Sequence, residues 1–469
     1  MNSRQATVEK KNGETLSPSQ YLSIQPHQDS YVVYNKLLGN FAVLSKQAYD
    51  YLCRNNIDNN GNTPLIQKLK ERFFLLPDNI DERDIINNEI RYRKEHLDSG
   101  YLVNGLQLVL TNDCNFKCTY CFANERNNDQ ASSCAQKPQR MTREIAFLAV
   151  ENIISVIKRN HNTHLTIEFF GGEPLLNWDI IEAVLDKYRS GEDWGVNIHY
   201  MITTNGSLIS EKIAKTLKAY GVHTVLSYDT PGNHHRLTTK NTPAEELILR
   251  GLSHLKKHNN SVSINSVISH TNIDQFDADA LLKFAAHYHI GTLALILDLS
   301  SYPYDDAVIM KRITDAILYT CVQARQYAIN ITGYWHQIFE QITDIRPINL
   351  TKGYKTCPAE GCKISVEPDG AISNCKCVDT KIGTINDLDA VFKSERYQLY
   401  AMKAYITTPF CEGCEIEGFC SGLCMGTLDL EFNNISAVIP TTCQLYRGLT
   451  RQLLAEHLTH YREEDYLHI

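Results

Sequence analysis

Three cysteines lie within one short stretch of the chain and could hold a metal cofactor. Cys114, Cys118 and Cys121 have the spacing Cys-x3-Cys-x2-Cys. A structural zinc site has four closed ligands, whereas a 4Fe–4S cluster bound by three thiolates keeps one iron open for another molecule. Because the stretch contains no fourth cysteine, the spacing favours a 4Fe–4S cluster with an open iron. The alternative is a zinc site that a distant residue completes.

Eight further cysteines follow in the C-terminal part of the chain. The central four have the spacing Cys-x2-Cys-x5-Cys-x3-Cys. Eight thiolates are enough for two fully ligated four-iron clusters, although the two central pairs also fit two tetrahedral zinc sites. The eight are Cys357, Cys362, Cys375, Cys411, Cys414, Cys420, Cys424 and Cys443.

Polar residues and glycines that could bind a ligand follow the first cysteines in order. They come at or soon after the ends of predicted strands, where a glycine permits close approach of the backbone and a carboxylate can accept from an ammonium group. Their arrival at successive strand ends indicates one shared binding site. These residues are Gly171, Gly172, Glu173, Pro174, Thr204, Asn205, Ser227, Asp229 and Arg236, with Asn265 and Asn272 as weaker candidates.

The elements that must position these residues are six strands, each followed by a helix. This alternation predicts an α/β fold with a parallel sheet, closed as a partial (β/α)6 TIM-like barrel with function at the C-terminal strand ends. The predicted strands are Leu106–Thr111, Leu165–Phe170, Val196–Thr203, His223–Ser227, Ser261–Ile268 and Thr292–Leu297. The predicted helices are Arg143–Lys158, Asp179–Tyr188, Ser210–Ala219, Ala244–Lys257, Ile273–His289 and Ala307–Ala328.

The regions on either side of this barrel have a different pattern. Upstream, two short strands (Tyr31–Asn35 and Asn40–Leu44) and two helices (Lys46–Arg54 and Pro64–Phe74) resemble a small winged-helix module. The alternative is an N-terminal extension that packs on the barrel. Downstream, cysteine, glycine and proline interrupt the helical periodicity, as is typical of a region stabilised by metal. The expected divisions are 1–95 for the N-terminal module, 96–335 for the barrel, 336–450 for the cysteine-rich domain and 451–469 for a C-terminal tail.

The bulk composition restricts the class of protein. The chain has 469 residues and a formal charge of −8, so it lacks the basic excess that non-specific nucleic-acid binding needs. No apolar signal peptide or spanning stretch is found, so we expect a cytoplasmic protein without a membrane partner. A reducing compartment disfavours disulfides, so many of the 15 cysteines are expected to bind metal.

The first cysteine loop and the motifs after it resemble the radical S-adenosylmethionine (SAM) superfamily. The resemblance implies that SAM binds the open iron through its amino and carboxylate groups. It also implies that an electron from the cluster cleaves SAM to a 5′-deoxyadenosyl radical, which removes a hydrogen atom from a substrate. Residues 171–174 would bind the methionyl amine, and Ser227 and Arg236 would hold SAM, although Thr230 and a shorter loop depart from the family pattern. The aromatic residues expected to flank the adenine are Tyr120 and Phe122.

The C-terminal cysteine pattern resembles the SPASM domain of radical SAM enzymes that modify peptides. The resemblance implies three 4Fe–4S clusters, one that binds SAM and two that are auxiliary. The implied ligands of the first auxiliary cluster are Cys357, Cys362, Cys375 and Cys424. Those of the second are Cys411, Cys414, Cys420 and Cys443. The spare cysteines are Cys134, Cys321 and Cys377.

These resemblances also indicate a substrate. SPASM enzymes act mainly on ribosomally made peptides, so we expect a precursor peptide whose leader docks at Tyr31–Leu44, and an electron donor such as flavodoxin or ferredoxin. Lys376 stands where sulfatase-maturing relatives carry a catalytic Asp, which disfavours formylglycine formation and favours cross-linking, thioether formation or epimerisation. Epimerisation needs a hydrogen donor, for which Cys377 is the candidate. The alternatives are a radical SAM enzyme acting on a small molecule and a non-catalytic, zinc-stabilised peptide-binding protein.

Overall fold

The computed structural model describes most of the chain. The described residues are 15–54, 57–58, 63–121, 139–232, 234–298, 306–343, 357–376, 380–403, 409–420 and 422–468. The predictions for Phe122, Cys134 and Cys377 lie outside these residues. In the described part, no helix is both long enough and apolar enough to cross a membrane.

Strands and helices are numbered along the described chain. The strands are β1 (Thr15–Pro18), β2 (Leu22–His27), β3 (Ser30–Asn35), β4 (Gly39–Ser45), β5 (Ile57–Asp58), β6 (Leu75–Pro77), β7 (Gly105–Val109), β8 (His164–Phe170), β9 (Asn197–Thr204), β10 (His223–Ser227), β11 (Val262–Ile268), β12 (Thr292–Leu297), β13 (Asn330–Thr332), β14 (Lys363–Val366), β15 (Ala371–Ser373) and β16 (Gly383–Thr384). The helices are α1 (Lys46–Leu52), α2 (Pro64–Glu71), α3 (Arg83–His96), α4 (Arg143–Arg159), α5 (Trp178–Tyr188), α6 (Glu211–Ala219), α7 (Glu245–Lys257), α8 (Ala278–His287), α9 (Ala307–Ala324), α10 (Tyr334–Ile342), α11 (Leu388–Lys393), α12 (Glu395–Ala401), α13 (Met425–Phe432) and α14 (Pro440–Leu458).

The six predicted strands form the parallel centre of the fold. Strands β7 to β12 lie in chain order, each parallel to the next, with a helix between successive strands. The alternating apolar residues of β8, Leu165, Ile167 and Phe169, are completely buried, because helices cover a parallel sheet on its outer face. The result is an α/β sheet dominated by parallel pairing, consistent with the partial barrel that the alternation predicts.

Several observed boundaries differ from the predicted ones for local reasons. The predicted helix Ile273–His289 is a short 3₁₀ turn followed by α8, because the Asp277 side chain accepts from the Ala280 N–H and starts a new helix there. Helix α9 ends at Ala324 rather than Ala328, which has a left-handed backbone. Strand β13, which pairs with β12, was not predicted because it has only three residues.

The N-terminal module combines two small sheets with three helices. One sheet has the order β2-β3-β4 and the other β5-β1-β6. The β2-β3-β4 sheet is buried on both faces. On one face, Val32 and Val43 pack against apolar residues of the barrel and of α14, and on the other face Val33 and Leu44 pack against α1, α2 and β1. The sequence missed β1, β2, β5, β6 and α3, and the winged-helix identification stays a prediction.

The C-terminal region continues the barrel sheet instead of standing apart from it. Strand β14 pairs parallel to β7, and β15 and β16 extend the same sheet. Helix α14 runs through residue 450, so the predicted division at this residue falls within a helix. The reason is that α14 packs along its length on α9 and α10, with Leu449, Leu453 and Leu458 buried.

Candidate active site

The cysteine loop leaves β7 at its C-terminal end and is held by the segment that follows β10. The Lys117 N–H donates to the Leu237 carbonyl (2.7 Å), and the Thr119 N–H donates to the His235 carbonyl (3.0 Å). The hydroxyl of Thr119 also contacts the His235 ring (2.8 Å). These contacts between backbones fix the loop at the edge where the strands end.

Gly171 and Gly172 allow the end of β8 to touch the cysteine loop. A Cβ atom on Gly171, whose φ is +146°, would lie 2.4 Å from the Thr111 carbonyl oxygen. A Cβ atom on Gly172 would lie 2.1 Å from the Asp113 carbonyl oxygen. Neither position has room for a side chain, so these glycines serve the close approach that the sequence predicted.

Glu173 is buried at the junction between the cysteine loop and the end of β9. Its carboxylate accepts from the Thr204 hydroxyl (2.7 Å), the Asn205 N–H (2.8 Å) and the Leu175 N–H (3.1 Å). Burial raises the pKa of Glu173 to about 7, against the lowering effect of these donors. Its charge also acts on the Cys114 thiol. The carboxylate therefore lies beside the loop, where it can accept from an ammonium group.

A ring of side-chain hydrogen bonds ties the cysteine loop to the segment after β9. Asn205 Nδ2 donates to Asn115 Oδ1 (3.0 Å), and Asn115 Nδ2 donates to Ser207 Oγ (2.8 Å). Ser207 closes the ring by donating to Asn205 Oδ1 (2.6 Å). The sequence analysis missed Asn115 and Ser207, although the position of Asn115 directly after Cys114 was a signal.

Arg236 brings a buried positive charge to the second cysteine of the loop. Its guanidinium donates to both Asp229 oxygens, from Nε (3.1 Å) and Nη2 (3.2 Å), and its Nη1 lies 4.0 Å from Cys118 Sγ. The Tyr120 hydroxyl donates to the same carboxylate, and its ring lies 5.5 Å from the guanidinium carbon. The Val267 N–H also donates to Asp229 (3.1 Å). Asp229 thus orients the cation that faces the thiol.

Burial favours the protonated form of the Cys114 and Cys118 thiols, so binding of a metal as thiolate would release their protons. Burial raises the pKa of Cys114 to about 12 and that of Cys118 to about 11, and Arg236 opposes the rise at Cys118. The charges of Cys114, Cys118 and Cys121 act on one another. Among the described residues, no three His, Cys, Asp or Glu side chains converge closely enough for a single metal ion. Three half-buried thiols with a guanidinium and a carboxylate beside them are a suitable donor set for a 4Fe–4S cluster.

The remaining candidates lie at the same edge but differ in role. Ser227 ends β10 and pairs with Asn265 of β11. Asn272 instead serves the backbone, since it accepts from the Ser269 N–H and donates to the Val267 carbonyl (both 2.8 Å). Pro174 starts a 3₁₀ turn. Adenine stacking by Tyr120 stays a prediction.

The sequence of this chain is similar to those of known proteins. Residues 108–282 match the family described as the Radical SAM superfamily. Radical SAM cyclopropyl synthase TigE of Paramaledivibacter caminithermalis is 31% identical over 465 residues, which cover 94% of this chain and 96% of TigE. The chain belongs to the radical SAM superfamily. Radical SAM enzymes use a 4Fe–4S cluster and SAM, which assigns this chemistry to the enzyme.

Solved structures share the fold of this radical SAM enzyme. Native anSMEcpe with bound AdoMet has a TM-score of 0.62 and 20% identity, covering 76% of this chain and 98% of its own. SuiB of Streptococcus suis, bound to the precursor peptide SuiA, has a TM-score of 0.51 and 17% identity, covering 92% and 100%. SPASM-type radical SAM enzymes that modify peptides are therefore its neighbours.

Part of the first auxiliary set of this radical SAM enzyme gathers around a buried tyrosine. The charges of Cys424, Cys375 and Cys357 all act on the Tyr400 hydroxyl, which donates to Asp429 (2.8 Å). Cys357 and Cys375 also pack against the apolar cluster that contains Tyr400. These three thiols therefore lie near the same tyrosine, and their role as ligands of one cluster stays a prediction.

Cys362, the fourth implied member of that set, has a different environment. Burial raises the pKa of Cys362 to about 12, and the groups acting on it are Glu360 and Arg93. Arg93 of α3 is completely buried and donates to the Ala401 carbonyl (2.8 Å). The inclusion of Cys362 in the first auxiliary set thus stays a prediction.

Two cysteines of the second auxiliary set, Cys420 and Cys443, lie near another buried tyrosine, Tyr446 of α14. The charges of Cys411 and Cys414 act on Cys443. Those of Cys420, Cys424 and Cys443 act on Tyr446. Cys424 therefore lies between the two sets, since its charge reaches both tyrosines. The four implied ligands of this set lie in one neighbourhood, and their role as ligands stays a prediction.

A cluster of polar side chains around Glu168 connects β8 with β14, and it was not predicted from the sequence. Glu168 accepts from Lys363 Nζ (2.8 Å), Gln107 Nε2 (2.9 Å) and Thr203 Oγ1 (3.3 Å). The charges of Cys375 and Cys357 also act on Lys363. This pair links the barrel to the auxiliary cysteines. A carboxylate within an apolar strand was the available signal.

Proposed function

We propose that this radical SAM enzyme removes hydrogen from a ribosomally made peptide and so leads to a new bond within it. The observation that carries the proposal is the cysteine loop with Glu173 and Arg236 buried against it. The sequence similarity to TigE over nearly the whole chain supports the formation of a carbon–carbon bond, because TigE is a cyclopropyl synthase. The SuiB structure with its precursor peptide supports a peptide as the substrate.

The residues of the loop would hold the cofactors in defined roles. Cys114, Cys118 and Cys121 would bind a 4Fe–4S cluster, and Glu173 would accept from the SAM ammonium. When bound, the cluster and SAM together supply a 5′-deoxyadenosyl radical that removes a hydrogen atom. Arg236, oriented by Asp229, would compensate negative charge beside Cys118 in a buried site, where electrostatic interactions are strong.

Lys376 stands where formylglycine-forming relatives carry a catalytic Asp, and this difference argues against formylglycine formation by this enzyme. Lys376 Nζ lies 3.7 Å from Glu367, and its backbone N–H donates to Gln107 (3.3 Å). A cation paired with a carboxylate does not accept a proton at neutral pH. Bond formation or epimerisation therefore fits this position better.

The polar group around Glu168 would face the substrate. Its acid, amide and ammonium groups line the sheet interior between β8 and β14. Such groups within an apolar barrel can hold peptide backbone N–H and C=O groups. Formation of a bond after the loss of one hydrogen atom also releases a proton and an electron, so an electron acceptor is needed. The C-terminal cysteines near Lys363 would bind clusters, and we propose that they provide this acceptor.

The cofactor assignment is tested by anaerobic reconstitution of a Cys118→Ala variant. We expect the loss of four irons per chain and of SAM cleavage, measured as 5′-deoxyadenosine. The matched control is Cys321→Ala, because Cys321 is half-buried like Cys118 but belongs to α9 and not to the loop. Unchanged SAM cleavage in Cys118→Ala would reject the assignment, and a wild-type protein that contains only zinc would reject the enzyme.

The reaction is tested by co-expression with a short peptide gene found beside this one. Carbon–carbon bond formation removes two hydrogen atoms from the peptide, so its mass falls by that amount. Epimerisation leaves the mass unchanged but alters the configuration of one residue. A peptide unchanged in both respects, with SAM cleavage intact, would exclude it as the substrate and favour a small molecule.

A further inference from the structure

The three-stranded sheet of the N-terminal module has two outer edges where a peptide strand could add. Its order is β2-β3-β4, so β3 is central and only β2 and β4 have an outer edge. An extended peptide binds such an edge through backbone hydrogen bonds, with alternate side chains entering pockets. The two edges differ in how many bonds they can offer.

The outer edge of β2 is poor in hydrogen-bond donors. The Leu22 N–H points outward, because it donates to the Ser19 carbonyl (3.4 Å). Backbone groups alternate along a strand, so Ile24 and Pro26 face the same way. Proline has no N–H group, and its presence protects an edge from strand addition. Of these three residues, only Ile24 has an N–H for a new strand.

The outer edge of β4 is occupied by the end of the same chain. The Ser45 N–H donates to the Leu467 carbonyl (3.0 Å), and the Leu467 N–H donates to the Val43 carbonyl (2.8 Å). Leu467 pairs parallel with Leu44. Paired residues share a face, and the Leu467 side chain is 7% exposed within the apolar cluster of Leu44 and the module helices.

The segment that brings Leu467 to β4 is exposed from Arg462 to Asp465, and Tyr466 after it packs against the apolar cluster shared by the barrel and α14. Between α14 and Leu467 lies one exposed 3₁₀ turn, Glu463–Asp465. Farther along β4, Phe41 packs against His457 and Tyr461 of the α14 end (5.8 and 5.7 Å between ring centres). The exchangeable part of the edge is therefore Val43 to Ser45, and recognition centres on the pocket of Leu467.

We propose that the β4 edge is the peptide-docking site of the N-terminal module, and that the C-terminal residues 466–468 occupy it until a substrate peptide displaces them. The fitting partner is an extended peptide, parallel to β4, with an aliphatic side chain at the place of Leu467 and an aromatic residue before it, as Tyr466 stands in the tail. The identity of the partner rests on the proposed peptide substrate, whereas the occupation of the edge by the tail does not.

The test uses the full chain and a labelled synthetic peptide that copies residues 462–469. The substitution Leu467→Asp places a charge in the apolar pocket and releases the tail. We expect this variant to bind the peptide saturably and at least tenfold more tightly than the wild type. The matched control His468→Asp alters an exposed neighbour and should bind as weakly as the wild type. Equal binding by all three proteins, or no saturable binding by Leu467→Asp, would overturn the proposal.

Hydrogen exchange shows whether the variant keeps its fold. In Leu467→Asp the Ser45 amide should lose protection, while the amides of β3 stay protected because their bonds to β2 and β4 remain. Unchanged protection of Ser45 would contradict displacement of the tail.

Competition with the precursor peptide then separates this inference from the proposed function. We expect the precursor to displace the labelled tail peptide from Leu467→Asp. A precursor that the enzyme modifies but that does not compete would overturn docking at β4 and leave the proposed function standing. A peptide that competes but is never modified would contradict the proposed function instead.

Discussion

The two cysteine-rich regions of this enzyme are held in place in different ways. The first loop is fixed by protein groups: backbone N–H donors, the Asn115 ring of hydrogen bonds and the buried pair of Arg236 with Asp229. The C-terminal thiols gather around Tyr400 and Tyr446 between short helices. The barrel thus builds the first site, whereas the second region has little regular structure to hold its thiols. We infer that only the second region depends on metal for its fold.

Removal of the metal should therefore destabilise the C-terminal region but not the first loop, and this is the largest effect that we expect. After anaerobic chelation, backbone amides of α12 and α13 should lose about ten-thousandfold or more of their hydrogen-exchange protection, because bound metal contributes folding free energy there. Amides of β7 to β9 should change little. Equal loss in both regions would contradict the difference, and so would equal retention.

Much of the barrel fold and of the first cysteine loop's surroundings could be predicted from the sequence, because the patterns that indicate them are local. Six strand–helix repeats and the residues at strand ends such as Glu173 and Asn205 lie in contiguous motifs. The partners Lys363 and Glu168 are 195 residues apart, and no local pattern joins them. The pairing of Leu467 with Leu44 is likewise a long-range contact.

The predicted docking segment Tyr31–Leu44 illustrates the same limit. The sequence predicted two strands in this segment, but not their order in the sheet. In the structure β3 is the central strand, so of these two strands only β4 has an outer edge. The tail that lies on this edge comes from the other end of the chain.

One ion pair from each region tests whether protein groups stabilise the first site more strongly than the C-terminal region. Asp229 and Arg236 are 2% and 9% exposed in their side chains, whereas Asp429 and Arg396 are 5% and 27% exposed. Arg236→Ala should lower the free energy of unfolding by about 3–5 kcal/mol, because it leaves a buried carboxylate unpaired. Arg396→Ala should lower it by about 1 kcal/mol, because Arg396 is partly exposed to water and the Tyr400 hydroxyl still donates to Asp429.

Urea denaturation of the two variants measures these free energies. Arg236→Lys is the control for charge, since it keeps the cation but loses the paired donors. Equal losses for Arg236→Ala and Arg396→Ala would show that the first site is not the more rigidly built one.

The smallest effect concerns the connection between the two regions. Lys363→Met removes the ammonium that bonds Glu168 near Cys375. A charge-assisted hydrogen bond is worth about 1.5 kcal/mol or more, so the rate of peptide modification should fall about tenfold. SAM cleavage should be unchanged, because the loop is intact. The matched control is Lys381→Met, whose lysine is 47% exposed beside Glu367. Equal effects of the two variants would reject a role for Lys363.

The central claim is that SAM binds at the cluster of the first loop and not at the C-terminal cysteines. Electron paramagnetic resonance of the anaerobically reduced enzyme, with and without SAM, tests it most directly. The account predicts that SAM changes the signal of the wild type and of a Cys411→Ala, Cys414→Ala double variant, but has no effect on Cys118→Ala. A SAM-dependent change that persists in Cys118→Ala, or that disappears in the double variant alone, would contradict it.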